Sequence, residues 1–369
     1  MRTRIVGFVA AVQIILFLAH WFVYDTWLAF GTMPDPPGIT WLQVAVALLS
    51  VSFVAASLLA FRYSNLAVRL FYRIASTWAG ILNFLLAAAF FCWIVYLAGR
   101  VAGVDLRRPA LAVLMFEAAV LIGLYGLLNA RRLRVTRIKV KLPNLPELWR
   151  GRVAALVSDA HLGPVNGRGF MRSIVARLAK LRPDIVFITG DLYDGTHVDA
   201  AAVAAPWKDI SPAFGKYFVT GNHEEFSDPR KYLEAVSSCG IRVLNNEKVT
   251  VDGLQIVGVP YRASTRPDYL RSVLQGAGID RGFASVLLSH SPHALDIVES
   301  EGVSLQLSGH THGGQVFPFT WLTRRIFGAY TYGLAAFGKL MVYTSSGAGT
   351  WGPPMRVGTR PEIALIEFQ

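Results

Sequence analysis

The stretch Gly309-His310-Thr311-His312-Gly313-Gly314 is the part of this sequence around which the rest can be arranged. Its two histidines stand two residues apart, which puts both side chains on one side of an extended segment but not on one face of a helix. The apolar run 303–307 before it predicts a strand, and the flanking glycines allow a close turn. We therefore predict a strand-end loop whose two imidazoles face one metal pocket. A plain structural loop is the alternative.

The same arrangement recurs along the second half of the chain. From residue 153, short β-branched runs alternate with helical periodicity, which predicts an α/β domain over 153–369. Ligands gather at the carboxyl ends of strands in open α/β sheets, so polar clusters at these ends should meet. Five predicted strands end in such clusters: Asp159 with His161, Asp191, Asn222 with His223, His290, and His310 with His312.

These clusters favour a particular kind of metal site. Carboxylate, amide and imidazole donors without a thiolate suit Mn, Fe or Zn, and so many imidazoles make Mg less suitable. A carboxylate that bridges two ions is the usual device for holding them about 3.5 to 4 Å apart in phosphoryl chemistry. We therefore predict two divalent metal ions as cofactors.

The first part of the chain is almost wholly apolar. Residues 1–130 hold 8 Arg and no Lys against 4 acids. Four runs, at about 5–24, 41–61, 77–98 and 109–129, are long enough to span about 30 Å of hydrocarbon as helices of roughly 20 residues. A signal peptide is the alternative for the first run, but three more runs follow it and no convincing cleavage site is present. We predict a transmembrane region of four helices, with the lipid bilayer as a partner.

The basic residues lie mainly beside this region. Residues 131–152 hold 8 Lys or Arg against one acid, whereas residues 153–369 hold 20 against 19. We interpret 131–152 as a basic juxtamembrane linker and predict no nucleic-acid partner, because a nuclease would need a basic face on its folded domain. The two cysteines, Cys92 and Cys239, give no disulfide framework.

The same residues predict the orientation in the membrane. If Arg62, Arg69 and Arg73 form the second loop, and the linker is counted up to Lys141, 11 basic residues flank the spans on the side of the N-terminus and the linker, against 3 on the other side. By the positive-inside rule, this predicts a multi-pass protein of the cell (inner) membrane with residues 153–369 in the cytoplasm.

The ordered clusters resemble the signature of the calcineurin-like metallophosphoesterase superfamily. Its elements stand here as Asp159-x-His161, Gly190-Asp191-x-x-Asp194, Gly221-Asn222-His223-Glu224, His290 and Gly309-His310-x-His312. The ending with Pro353-Pro354-Met355-Arg356 resembles a membrane-linked subgroup with N-terminal transmembrane helices. The resemblance implies two facing β-sheets flanked by helices, with a dinuclear site at one edge. Tyr261-Arg262 departs from the acidic residues expected there in this subgroup.

The resemblance also implies a role for each candidate site residue. Two metals would activate a water for in-line attack on phosphorus. His223 would act on the substrate as a protonated imidazole that Asp194 orients, with a structural histidine as the alternative. The metal ligands would be Asp159, His161 and His312 for one ion, Asn222, His290 and His310 for the other, and Asp191 as the bridge.

Joined to the apolar region, this donor set predicts a membrane-anchored hydrolase of phosphoester or pyrophosphate bonds. The predicted substrate is a phosphorylated membrane lipid or a lipid-linked sugar. A soluble nucleotide or a phosphoprotein is one alternative, and a non-catalytic membrane sensor is another. His223 and Asp194 disfavour the sensor, because a binding module has no need of an acid.

The segment 316–327, just after the two histidines, is rich in large apolar side chains and contains Arg324 and Arg325. One interpretation is a strand and helix that fill the core, since exposed aromatic side chains are costly in water. The other is an interfacial segment whose rings lie at headgroup depth and whose guanidinium groups meet lipid phosphates. In that case Phe319, Trp321 and Arg324 would contact the membrane or the substrate.

Overall fold

The computed structural model describes residues 2–31, 35–226 and 228–369. It divides into two compact units. The first comprises Met1–Leu128 with Gly352–Met355, and the second comprises Asn129–Trp351 with Arg356–Gln369. The predicted loop between the first two spans includes residues 32–34, which lie outside the described residues.

The described N-terminal residues form four long helices: α1 (Arg2–Phe30), α2 (Pro36–Ala60), α3 (Leu66–Val101) and α4 (Arg108–Ala130). All four are long and apolar enough to cross a membrane, as predicted. Helix α3 begins well before its predicted start, because the Asn65 side chain caps it by accepting a hydrogen bond from the Val68 backbone N–H. Arg69 and Arg73, which were predicted to lie in a loop, are therefore on the helix. The start was predicted too late because hydropathy identifies only the apolar part of a helix.

The remaining described residues form strands and shorter helices. The strands are β1 (Arg134–Val140), β2 (Val153–Val157), β3 (Ile185–Thr189), β4 (Lys216–Val219), β5 (Arg242–Val243), β6 (Glu247–Val251), β7 (Leu254–Val259), β8 (Ser285–Ser289), β9 (Leu305–Ser308), β10 (Gly333–Phe337), β11 (Leu340–Thr344) and β12 (Glu362–Phe368). The helices are α5 (Arg168–Leu181), α6 (Ala200–Ala204), α7 (Arg230–Ser237), α8 (Tyr261–Ser264), α9 (Pro267–Ala277), α10 (Leu295–Ser300) and α11 (Phe319–Phe327).

The described strands form two six-stranded mixed sheets. One has the order β1-β12-β2-β3-β4-β5 and the other the order β10-β11-β9-β8-β7-β6. Strands β2 to β5 run parallel to one another, as do β7, β8, β9 and β11. A parallel arrangement places the carboxyl ends of successive strands at the same sheet edge, which is where the polar clusters of the sequence lie.

The two sheets face each other across a shared core. Leu156 and Phe187 of the first sheet belong to one buried cluster with Ile256, Leu288 and Leu307 of the second. Helices α5, α6 and α7 cover the outer face of the first sheet, and α9 and α10 cover that of the second. Strands buried on both faces read as continuous apolar runs, which explains why the sequence predicts them so clearly. The predicted fold class is thus confirmed.

The basic segment 131–152 is part of this domain and does not form a linker. It contains strand β1, which pairs in parallel with β12, and the buried Trp149. Its β-branched residues suit a strand, whereas its charged residues can remain at the sheet edge in contact with water. The prediction of a linker was wrong because it relied on charge alone and overlooked this β-branched content.

Candidate metal centre

The predicted donor clusters converge where the two sheets meet. Asp159, Asp191 and Asn222 follow β2, β3 and β4 of the first sheet, whereas His290 and His310 follow β8 and β9 of the second. Each cluster stands directly after its strand, as the sequence predicts. The carboxyl ends of both sheets therefore contribute to one site.

One group of donors consists of Asp159, His161 and His312. The Nε2 atoms of the two histidines lie 3.0 Å apart. The Asp159 Oδ1 atom lies 3.4 Å from Nε2 of His312 and 4.0 Å from Nε2 of His161. The three side chains thus point their donor atoms at one small volume, which can hold a metal ion.

A second group surrounds His290. Its Nε2 atom lies 3.1 Å from Oδ2 of Asp191, 3.2 Å from Oδ1 of Asn222 and 3.2 Å from Nδ1 of His310. The same Asp191 oxygen lies 3.8 Å from Nε2 of His161, a member of the first group. Asp191 therefore stands between the two groups, at the position of a bridging ligand.

The electrostatics of the two groups fit divalent cations. Asp159 and Asp191 are buried, and neither forms an ion pair with a Lys or Arg among the described residues. Burial lowers the pKa of His161 and His312 well below the usual value, so both rings are neutral and can offer a lone pair. Burial also lowers the pKa of His290, but the adjacent Asp191 more than offsets this and the net shift is upward. The buried Asp159 carboxylate beside the neutral rings of His161 and His312 is therefore stabilised by added positive charge.

The backbone at these positions is unusual. Non-glycine residues in the left-handed region cost of order 1–3 kcal/mol each and cluster at functional sites. Two glycines allow the close approach of the chain that this geometry needs: a Cβ atom on Gly309 would collide with the Asp159 carboxylate, and one on Gly221 would collide with that of Asp191. The ligand candidates with positive φ are Asp159 (53°), His161 (47°), Asp191 (49°), His310 (70°) and His312 (49°).

His223 lies beside the donor groups. Its Nδ1 atom donates a hydrogen bond of 2.7 Å to the backbone carbonyl of Asp194, which fixes the proton on Nδ1 and leaves Nε2 3.8 Å from the Asp191 carboxylate. The Asp194 carboxylate itself accepts hydrogen bonds from the backbone N–H and hydroxyl of Thr196. Asp194 thus holds His223 through its main-chain carbonyl and not through its side chain. Burial lowers the pKa of His223, and Asp191 opposes that shift.

Glu224 is a positioning residue to which the sequence analysis assigned no role. Its buried carboxylate accepts hydrogen bonds from the backbone N–H groups of Asp191, Tyr193 and Gly221, at 2.9, 2.9 and 2.7 Å. It therefore ties the loop after β3 to the loop after β4. The acid that follows Gly221-Asn222-His223 was the signal that could have identified it.

Arg356 plays a similar part on the other side of the site. Its fully buried guanidinium donates to the backbone carbonyls of Ser346 and Gly349 at 2.7 and 2.6 Å, and it lies 3.3 Å from both the carbonyl oxygen and Nδ1 of His312. Burial lowers the pKa of Arg356 to about 10. The guanidinium therefore fixes the loop that carries His312.

Aromatic side chains surround the histidines. Phe226 and Trp351, both more than half exposed, have ring centroids 4.4 and 5.8 Å from that of His223. The ring centroid of Tyr261 lies 5.4 Å from that of His310. The sequence drew attention to Tyr261 only as a departure from the expected acidic residues, and it gave no signal for Phe226 or Trp351.

Phe319, Trp321 and Arg324 lie on α11, outside the donor groups. None of the nine residues of this helix, all of them described, is buried. The helix therefore does not fill the core, although Val316 at the start of the segment is buried. Its large apolar side chains are instead exposed on the surface of the domain.

Comparison with known proteins agrees with the motifs. Residues 153–314 match the family model described as calcineurin-like phosphoesterase. The chain is 33% identical over 285 residues to a transmembrane protein with metallophosphoesterase domain from Danio rerio, covering 72% of this chain and 64% of that protein. It is 33% identical over 286 residues to the protein of the same name from Bos taurus, covering 71% and 62%. The chain thus spans less than two thirds of the length of these two relatives.

A third relative is matched over nearly its whole length. This uncharacterized metallophosphoesterase from Aquifex aeolicus (strain VF5) is 32% identical over 262 residues, which cover 68% of this chain and 97% of that protein. The matched family model spans the candidate ligands from Asp159 to His312, which the structure brings together where the two sheets meet. The chain therefore belongs to the calcineurin-like metallophosphoesterase family.

Proposed function

We propose that this protein is a membrane-anchored phosphoesterase with a dinuclear divalent-metal centre. The observation that carries the proposal is the position of Asp191 between two groups of buried donors that come from five strand ends. Two bound ions would neutralise charge on the phosphoryl oxygens and lower the pKa of a water between them. Manganese, iron and zinc are the metals that suit this donor set.

Each side chain then has a distinct task. Asp191 would be shared between the ions. His223, held through Nδ1 by the Asp194 carbonyl, directs Nε2 towards the centre, and when Nε2 is also protonated the imidazolium would donate a hydrogen bond to the leaving oxygen of a phosphoryl group. The remaining ligands would be Asp159, His161 and His312 for one ion, and Asn222, His290 and His310 for the other.

We propose a phosphorylated membrane lipid or a lipid-linked sugar as the substrate. Two features support this class: the four helices that can cross a membrane, and the exposed rings of Phe226 and Trp351 beside His223, which offer apolar contact to a substrate. A soluble phosphoester would need neither feature.

The full chain in detergent should hydrolyse bis-p-nitrophenyl phosphate and, with higher kcat/KM, a lipid phosphoester or pyrophosphate. Chelation should abolish both activities, and Mn, Fe or Zn should restore them, because the proposed chemistry depends on the ions. Metal binding without turnover of any phosphoester would favour the sensor, and faster turnover of nucleotides or phosphoproteins would favour a soluble substrate.

We also propose that residues 153–369 face the cytoplasm. Arg69 and Arg73 lie on α3, but within its first eight residues, so they stay on the side to which the charge bias assigned them. Protease added to sealed right-side-out cells should leave 153–369 intact and should digest it after the membrane is permeabilised. Digestion in the sealed cells would reverse the proposed orientation.

A further inference from the structure

Helix α11 presents its apolar side chains outward. Phe319, Leu322 and Ile326 follow helical spacing along one face, with exposed fractions of 53%, 47% and 66%, and Trp321 beside them is 63% exposed. The half-buried positions are Thr320, Thr323 and Phe327. A surface helix of a soluble domain normally turns its apolar face to the core. The reversed pattern therefore indicates that the outer face has an apolar partner.

A cavity of about 620 Å³ lies next to this helix and carries positive charge. Arg324 and Arg360 line it together with Trp321 and Tyr332, and no carboxylate is among its described lining residues. Neither guanidinium forms an ion pair or a side-chain hydrogen bond with any residue that the structure describes. Two unpaired guanidinium groups in one cavity are suited to bind an anion such as a phosphate.

Three of the hydroxyls that line the cavity are already engaged. The hydroxyls of Thr331, Ser346 and Thr359 donate to the backbone carbonyls of Gly328, Arg360 and Gln315. The two arginines are therefore the main donors for an anion, together with the Thr320 hydroxyl. An incoming phosphate would meet cationic donors and an indole ring in the same cavity.

We propose that α11 and this cavity form a binding site for the phosphate headgroups of a phospholipid bilayer. Phe319, Trp321, Leu322 and Ile326 would enter the interface, and Arg324 with Arg360 would bind headgroup phosphates. The bilayer is the occupant because the chain itself carries four helices that can cross one. Residues 131–133 connect α4 to β1, so this domain stays tethered to any bilayer that α4 crosses.

This site would also bring substrate to the metal centre. Gly313, which directly follows His312, lines the cavity. A lipid phosphate held there would lie beside the loop that carries two candidate metal ligands, while its acyl chains stay in the membrane. This last step rests on the proposed function, whereas the binding of α11 to the bilayer does not.

The full chain in proteoliposomes provides the test. The Leu322→Cys variant is labelled with an environment-sensitive fluorophore, and Tyr269→Cys, at an exposed position on α9, is the control. The natural Cys92 and Cys239 are buried, and labelling of the unsubstituted chain measures the background that they contribute. Lipids with a nitroxide just below the headgroup should quench the label at position 322 several-fold more than the label at position 269. Equal quenching at the two positions would overturn the proposal.

Charge reversal tests the cavity. Arg324→Glu combined with Arg360→Glu should reduce the quenching in vesicles that contain anionic phosphatidylglycerol, whereas unchanged quenching would exclude the cavity from the contact. A fluorescence response that follows protein concentration and not lipid would indicate a second copy of the chain. A response reproduced by inorganic phosphate without vesicles would indicate a site for free anions. Either result would overturn the proposal.

A kinetic measurement tests the link to catalysis. Phe319→Ser combined with Trp321→Ser should lower the ratio of lipid turnover to bis-p-nitrophenyl phosphate turnover by about tenfold, because the lipid alone uses the interface. An unchanged ratio would contradict delivery through α11. Since the quenching experiment needs no turnover, an inactive protein with a quenched label would count against the proposed function and leave the bilayer site supported.

Discussion

Replacing His223 with alanine should reduce kcat by about 10² to 10⁴-fold and leave the metal content of the protein unchanged. The physical reason is that the His223 ring directs Nε2 towards the site while its Nδ1 is held by the Asp194 carbonyl, and that His223 is in neither of the two proposed ligand sets. The measurement combines kcat on bis-p-nitrophenyl phosphate with elemental analysis of the same preparation.

The result would distinguish a His223 that acts on the substrate from a His223 that binds metal. His223 also lies close enough to His161 and Asp191 for the three to hold an ion together. If His223→Ala loses metal as well as activity, His223 is a ligand and its proposed role is wrong. His293→Ala provides a matched control, because His293 stands near His310 but its Nδ1 bonds to the Ser291 hydroxyl and it belongs to neither donor group. It should retain both metal and most of the activity.

The Asp191→Asn substitution should leave fewer than two ions per chain and lower turnover by about 10³-fold. Asp191 is the carboxylate that contacts both donor groups, and an amide in its place removes the negative charge that would hold the ions together. Charge stabilisation by metal ions contributes several kcal/mol to phosphoryl transfer, and each 1.36 kcal/mol is a factor of ten in rate. Elemental analysis and turnover measured over a metal titration would test this expectation.

A control for the same chemical change is available on the surface of the domain. Asp199 caps helix α6 by accepting a hydrogen bond from the Ala202 backbone N–H, and asparagine is an equally good cap. Asp199→Asn should therefore keep full metal content and activity. Two ions retained in Asp191→Asn protein, or turnover equal to that of the control, would exclude a bridging role.

Much of the site could be predicted because its signals are local. Each candidate ligand stands directly after a strand, and an apolar run of four to six residues identifies such a strand without knowledge of its partners. The order and spacing of Asp159, Asp191, Asn222, His290 and His310 then resemble one family, which the comparisons confirm. The four apolar helices were equally evident, because the length of an apolar run is a property of the sequence alone.

Most of the errors and omissions involve contacts between distant residues. Strand β1 was assigned to a linker on its charge, and its partner β12 lies more than two hundred residues away in the chain. The main-chain carbonyl through which Asp194 holds His223 could not be predicted, because a sequence shows which side chains are present and not which main-chain groups face them. The supporting role of Arg356 depends on carbonyls from a separate loop.

By itself, the sequence determined the four apolar helices, the alternating strands and the set of donors at the strand ends, since each follows from the local period of polar and apolar residues. Only the tertiary structure decided that Asp191 stands between two donor groups, that Glu224 joins two ligand loops, and that α11 turns its apolar face outward. A side chain's direction and partners depend on how the sheets and helices pack, and that packing is a property of the whole chain.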